Sequence, residues 1–195
     1  MSTAPDQVSL EDLTEALKRL DTTAVLRLEA GEPEDWEQIT LSHADGEEIA
    51  AIEFNPVAVG SLASEELEEF AKEVVDCRPA LAAKWLLSYF RGVRSIYALQ
   101  VLNGTNRDNG WEIFGAVKAG IWAAAPSIIQ ADHEGFSNEE GYHILWQFSD
   151  TVSGNWWMGV LVNGKWQHFQ MDLGNPAHRE AFQDGRIPKG LKQKR

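Results

Sequence analysis

Residues 155–172 read NWWMGVLVNGKWQHFQMD and predict a tight β-hairpin. Asn163 and Gly164 lie between two runs of alternating side chains. This dipeptide favours a type I′ turn, because both central residues of that turn need a positive φ. A two-residue turn at this point fixes the register, so that Val162 pairs with Lys165 and each residue further from the turn has a defined partner. The hairpin is the strongest local signal in the chain.

This register sorts the side chains of the hairpin into two sets, because directly paired residues share one face of a sheet. The first set is apolar and predicts a core face: Trp156, Met158, Val160, Phe169 and Met171. The other set, which we name the second face, is mixed: Trp157, Gly159, Leu161, Trp166, His168 and Gln170. Gly159 has no side chain, so we expect a dent there.

Working outward, the segment from Ile128 to Asp172 predicts a four-stranded antiparallel meander. Residues 142–148 alternate between apolar and polar types, which is typical of a half-buried strand. Their apolar members are expected on the core face. That assignment places His143 and Gln147 beside Trp157 and His168 on the second face.

The rest of the chain predicts helices and strands in alternation. Helical spacing indicates helices near residues 10–20, 65–75, 80–90 and 111–122, and near 176–183 after the meander. Strand patterns indicate residues 25–28, an acidic hairpin of 36–42 and 48–54 suited to a sheet edge, and an apolar strand of 95–102 suited to a sheet centre. In the first strand of the hairpin, Trp36 is expected on the face opposite Ile39 and Leu41.

The predicted fold class is α+β: an N-terminal helix and β-hairpin, a central helix pair, and a C-terminal four-stranded antiparallel meander packed on helices. Residues 1–195 are expected to form a single domain. If a boundary between two parts exists, the polar loop at 103–110 is where it is expected.

The charge of the chain is strongly negative and unevenly distributed. The formal net charge is −13, and residues 1–70 hold 18 acidic residues against 3 basic ones. An acidic field repels phosphate backbones, so no nucleic-acid partner is expected, whereas a basic protein would be attracted. The plainer interpretation is that these charges provide solubility.

Other features of the sequence argue against a membrane or a cofactor. No apolar run approaches the ~20 residues of a membrane span, and the N-terminus lacks a signal-peptide pattern. Cys77 is the single cysteine, so a reducing cytoplasm is the expected location. Motifs for nucleotide, phosphate or thiolate-zinc binding are absent, so no cofactor, metal or catalytic residue is assigned. Residues 132–134 (Asp-His-Glu) are the best acid–base candidates, but a solvated turn is the favoured interpretation.

These observations favour a non-catalytic acidic protein-interaction module, such as an inhibitor, an immunity-type protein or an accessory protein, with a basic protein partner. The alternative is a small-ligand-binding protein or enzyme that uses the second face. Its ligand-binding candidates are Trp157, Trp166, His168, Gln170, His143 and Gln147. A helix covering that face is the plainer explanation of the mixed surface. A third hypothesis is a structural or self-associating protein, and the sequence leaves the oligomeric state open.

Overall fold

The structure is a computed structural model that describes residues 1–20, 22–124, 127–149 and 151–192. Within these ranges the α-helices are α1 (Leu10–Lys18), α2 (Leu62–Val74), α3 (Ala80–Phe90), α4 (Gly110–Ala124) and α5 (Pro176–Gln183). The strands are β1 (Val25–Glu32), β2 (Asp35–Ser42), β3 (Glu48–Pro56), β4 (Ser95–Val101), β5 (Ile129–Ala131), β6 (Gly135–Ser137), β7 (Asn155–Val162) and β8 (Lys165–Asp172). The predicted α+β class is confirmed.

The chain divides into two compact units. The first comprises Met1–Ser64 and Val93–Pro126, and the second comprises Glu65–Gly92 and Ser127–Arg195. Residues 103–110 lie inside the first unit, where Asn103–Asn106 form a 3₁₀ turn ahead of α4.

The first unit is built on an antiparallel sheet with the strand order β1-β2-β3-β4. Its core joins apolar side chains of the sheet to those of α1 and α4, among them Leu13, Leu17, Ile39, Leu41, Ile52, Val117 and Ile121. The prediction that the β2–β3 hairpin lies at an edge is wrong, because β1 and β4 flank it. The prediction of a central β4 is also wrong, because β4 is an edge strand. The acidic residues Asp35, Glu37, Glu48 and Glu53 of the hairpin are exposed although its strands lie in the middle of the sheet.

The expected placement of Trp36 opposite Ile39 is wrong as well. Both side chains are fully buried in the same core. The β1–β2 ladder shifts register on both sides of Ala30, and Glu37 has no partner in it. A bulge of this kind adds one residue to a strand and reverses the alternation of side chains beyond it. Trp36 therefore lies on the core face, which strict alternation would assign to its neighbour Glu37.

In the second unit the predicted hairpin register is confirmed at all seven predicted pairs, from Val162–Lys165 to Trp156–Met171, and the ladder continues to Asn155–Asp172. The turn residues Asn163 and Gly164 have φ values of 50° and 74°, as a type I′ turn requires. Four of the five residues expected on the core face are buried in a cluster that includes Phe182 of α5: Met158, Val160, Phe169 and Met171. The fifth, Trp156, is half-buried and packs against this cluster.

The prediction of a four-stranded meander is wrong. The structure has two separate pairs, β5–β6 and β7–β8, and residues 142–148 do not form a strand. His143 bridges both hairpins, antiparallel to Ser137 and parallel to Met158. A bridged pair shares one face, so His143 lies on the core side with Met158. This contact reverses the expected faces of Tyr142, His143 and Ile144, whereas Phe148 lies in the core cluster, as expected.

The last helix follows its sequence signals. Oδ1 of Asn175 accepts the backbone N–H groups of Ala177 and His178, and Gly185 ends the helix with a φ of 73°. Among the helices of the described ranges, none combines the length and the apolar character needed to cross a membrane.

Candidate functional site

His168 lies at the centre of the second face and is buried beneath the aromatic ring of Tyr142. The ring of Tyr142 stacks on the imidazole, with 3.7 Å between ring centroids and 8° between ring planes. The expected dent at Gly159 is filled. A Cβ atom at Gly159 would lie 3.3 Å from the His168 ring and 3.3 Å from Cγ2 of Ile144. Tyr142 and Ile144 occupy this space because the bridge at His143 turns them toward the second face.

Asn138 fixes the orientation of the His168 ring. Its Oδ1 accepts the backbone N–H groups of Glu140 at 3.1 Å and Tyr142 at 3.0 Å, so its Nδ2 is left to face Nε2 of His168 at 3.2 Å. An amide nitrogen only donates, so Nε2 accepts and the ring proton lies on Nδ1. Nδ1 faces Oε2 of Glu140 at 3.5 Å. Both ring nitrogens therefore have a local partner, which is the arrangement of an imidazole held in place by its surroundings.

The ends of the second face differ in exposure. Trp166 packs edge-on against Trp85 of α3, with 5.1 Å between ring centroids. Trp157 is 43% exposed and contacts Tyr142 edge-on at 5.9 Å, and Gln170, its partner across the hairpin, is exposed. A helix and Tyr142 thus cover one end and the centre of this face, whereas Trp157 and Gln170 remain open to solvent.

The other two predicted site residues lie elsewhere. The expected position of His143 beside His168 is wrong: its ring packs between Trp156 at 4.8 Å and Phe148 at 5.2 Å. Burial lowers the pKa of His143 to about 4, and its Nδ1 has no hydrogen-bond partner within the described part of the chain. Gln147 lies beside β6, where a Cβ atom on Gly135 would be 2.8 Å from its Oε1.

Sequence reasoning missed Asn138, Glu140 and Tyr142 as members of this cluster. The Asn-Glu-Glu-Gly order of residues 138–141 does signal a turn. However, the partner of the Asn138 side chain depends on which face Tyr142 takes, and no local pattern reveals the bridge that decides it.

A second surface lies in the first unit, and we name it the acidic cleft. It is a concave volume of about 420 Å³ lined by Ala30, Asp35, Trp36, Glu37, Gln38, Glu53, Phe54, Asn55 and Pro56. The carboxyl-bearing residues Asp35, Glu37 and Glu53 are exposed. Within the described ranges, none of these three forms an ion pair with a basic side chain.

Several contacts hold Trp36, the buried member of the cleft lining. The fully buried indole of Trp36 donates its N–H to the carbonyl oxygen of Val8 at 2.9 Å, and its ring packs against Phe54 at 6.0 Å and Tyr97 at 6.1 Å. The bulge that turns Trp36 inward also leaves Glu37 at the rim. The same local irregularity thus shapes both the floor and the charged wall, which is why strict alternation missed this cleft.

Other reactive groups do not assemble into a site. Burial raises the pKa of the Cys77 thiol, and its Sγ lies 3.2 Å from the carbonyl oxygen of Glu73, so the reactive thiolate is disfavoured. Asp132 and Glu134 flank His133, which has a φ of 63° in the β5–β6 turn. In the residues that the structure describes, no cluster of three or more histidine, cysteine or acidic side chains is placed to hold a metal ion.

Fold and surfaces together define an α+β protein of two units, with an acidic cleft in one and a histidine-centred aromatic cluster in the other. Comparison of the chain with models of protein families, with curated proteins and with solved structures finds no match.

Proposed function

We propose that the protein is a non-catalytic protein-interaction module whose acidic cleft receives a basic segment of a partner protein. The supporting observation is the set of carboxylates on Asp35, Glu37 and Glu53, which surround a concave surface without a basic partner in the described chain. The amides of Gln38 and Asn55 add hydrogen-bonding groups to the same wall. A lysine or arginine side chain supplies the positive charge that this lining lacks, together with donors for its carboxylates.

The electrostatics of the chain fit such a partner. A net charge of −13 accelerates encounter with basic proteins, and the exposed carboxylates then determine where they bind. Exposed ion pairs contribute only about 0.2–1 kcal/mol each, and salt screens them. The interaction should therefore be of modest affinity, and it should weaken as the salt concentration rises.

The probe for this proposal is a blocked peptide of alternating lysine and glycine, titrated into the full chain by calorimetry at low and high salt. One variant combines Asp35→Asn, Glu37→Gln and Glu53→Gln. Its matched control combines Glu11→Gln, Glu65→Gln and Glu68→Gln, which removes the same charge from exposed helix positions. Loss of three weak ion pairs should lower the affinity of the cleft variant about tenfold.

The control variant should lose much less affinity, because it retains every cleft carboxylate. Equal losses in the two variants would mean that the peptide senses the overall charge and not the cleft. Binding that does not change with salt would also contradict the proposal.

A second candidate function is small-ligand binding on the second face around Trp157, Trp166 and His168. The observation that favours it is the 43% exposed indole of Trp157 beside the exposed amide of Gln170. An aromatic ring next to a hydrogen-bonding group is a common lining of ligand sites. Ligand-observed NMR with a set of small aromatic and amide fragments tests it. Fragments that bind the native chain but not a Trp157→Ala variant support this function, and identical profiles exclude it.

A further inference from the structure

Strand β4 exposes one edge of its backbone to solvent. The N–H of Leu102 binds Ile49 and the carbonyl of Arg94 binds Val57, so the even-numbered residues direct their backbone groups toward β3. By the two-residue period of a strand, the odd-numbered residues direct theirs away from the sheet. Ser2 takes the outward groups of Ser95 at the start of the strand. The outward groups beyond it, on Tyr97, Leu99 and Val101, have no backbone partner in the described chain.

The two edges of the sheet are protected very differently. The β1 edge carries Arg27 and Glu29, and its ladder is interrupted by bulges around Ala30. Charges and bulges are the usual devices that keep an edge strand from pairing with another chain. Strand β4, SIYALQV, has no charge and no proline, and its register with β3 is unbroken over seven pairs. It is the edge on which another strand can add.

We propose that β4 pairs antiparallel with β4 of a second copy of this chain, about a two-fold axis at Leu99. In this register Leu99 pairs with its own copy and Tyr97 pairs with Val101, so the outward groups of both chains form about six hydrogen bonds. Tyrosine opposite valine is a favourable cross-strand pair. Val101, which is 43% exposed, and the half-buried Leu99 are further covered.

The self-complementary register and the absence of charge in β4 favour a second copy as the occupant. On the open face, the pairing sets Ala98 directly opposite Gln100 of the other chain, and both are exposed. No charged side chain lies in the paired segment. Although each chain has a net charge of −13, no acidic side chains therefore face each other across the paired strands. The remaining long-range repulsion is screened by salt. Self-association should therefore strengthen with salt, the opposite of peptide binding in the acidic cleft.

Sedimentation velocity of the full chain over a range of concentrations tests the proposal. The native chain should show a monomer–dimer equilibrium whose dissociation constant falls as salt rises. Leu99→Pro removes an outward N–H without breaking the ladder to β3, and proline is tolerated on the free side of an edge strand. This variant should stay monomeric while retaining the circular dichroism spectrum of the native chain.

A pair of charge variants separates this register from other interfaces. Ala98→Lys with Gln100→Lys places lysine opposite lysine in the dimer and should raise the dissociation constant at least tenfold, although it reduces the net charge. Ala98→Lys with Gln100→Glu places lysine opposite glutamate and should restore dimerisation. A native chain that stays monomeric at high salt, or a dimer that none of these variants changes, would overturn the proposal.

Discussion

The ring of Tyr142 lies parallel to the imidazole of His168, with 3.7 Å between their centroids. The sequence pattern assigns these two residues to opposite faces of the hairpin. Their contact means that the segment after the turn at 138–141, which pairs with β7 at His143, turns Tyr142 and Ile144 toward the second face. His168, which the sequence suggested as a ligand-binding candidate, is consequently buried and only 8% exposed.

Asn138→Ala should lower the free energy of unfolding by about 1–3 kcal/mol. Asn138 is 1% exposed, and its amide serves the backbone N–H groups of Glu140 and Tyr142 as well as Nε2 of His168. Removing the amide leaves buried polar groups without a partner, which costs more than a typical exposed hydrogen bond. Urea titration measures the change. The exposed Asn155→Ala variant is the control, and an equal loss in both would contradict the role assigned to Asn138.

The stability of the protein should depend on the protonation of His143. Burial holds the pKa of its imidazole at about 4 in the folded state, against 6.5 for an unperturbed histidine. Between these values the unfolded chain binds the extra proton and the folded chain does not. The free energy of unfolding therefore has its full value above pH 6.5 and decreases as the pH drops toward 4. The loss reaches at most about 3 kcal/mol.

A His143→Phe variant should lack this part of the pH dependence, because an apolar ring suits its contacts with Trp156 and Phe148. Urea titrations at several pH values between 4 and 7 measure the difference between the variant and the native chain. His133→Asn, a change in an exposed turn, is the control and should leave the native slope intact. A variant that follows the slope of the native chain would show that His143 does not titrate in this range.

Features that rest on local chemistry could be predicted from the sequence. The Asn163-Gly164 turn imposes its geometry on both flanking strands, and its register is correct for every pair. The ends of α5 follow from the side chain of Asn175 and the conformational freedom of Gly185. In each case the residues that decide the structure are sequence neighbours.

The candidate sites could not be predicted, because each depends on a non-local irregularity. One unpaired residue, Glu37, turns Trp36 into the core and opens the acidic cleft beside it. One parallel bridge, between His143 and Met158, reverses the faces of the segment that covers His168. Alternation extrapolated from a known register fails beyond the first such point, since a shift of one residue exchanges the two faces.

Arg107→Ala should raise the pKa of the Asp45 carboxyl toward its ordinary value. The guanidinium of Arg107 lies 2.6 Å from Oδ2 of Asp45 and holds the pKa of that carboxyl below its ordinary value. Titration of the side-chain carboxyl carbons by NMR measures the change. Arg27→Ala is the matched control, because Arg27 pairs with Glu29 instead. An Asp45 pKa that moves equally in both variants would indicate a general charge effect and not this contact.

Gly31→Ala should destabilise the first unit far more than Gly46→Ala does. Both glycines have left-handed backbones, with φ values of 87° and 91°, so alanine introduces about 1–2 kcal/mol of strain at either position. A Cβ atom at Gly31 would also lie 2.6 Å from the backbone nitrogen of Glu37, whereas nothing lies within 4 Å of one at Gly46. Relief of that clash requires the bulge to open, which should displace Glu37 and weaken binding of the lysine–glycine peptide. Urea titration and calorimetry measure the two effects. Equal unfolding free energies for the two variants would mean that the bulge accommodates the added Cβ atom without further loss of stability.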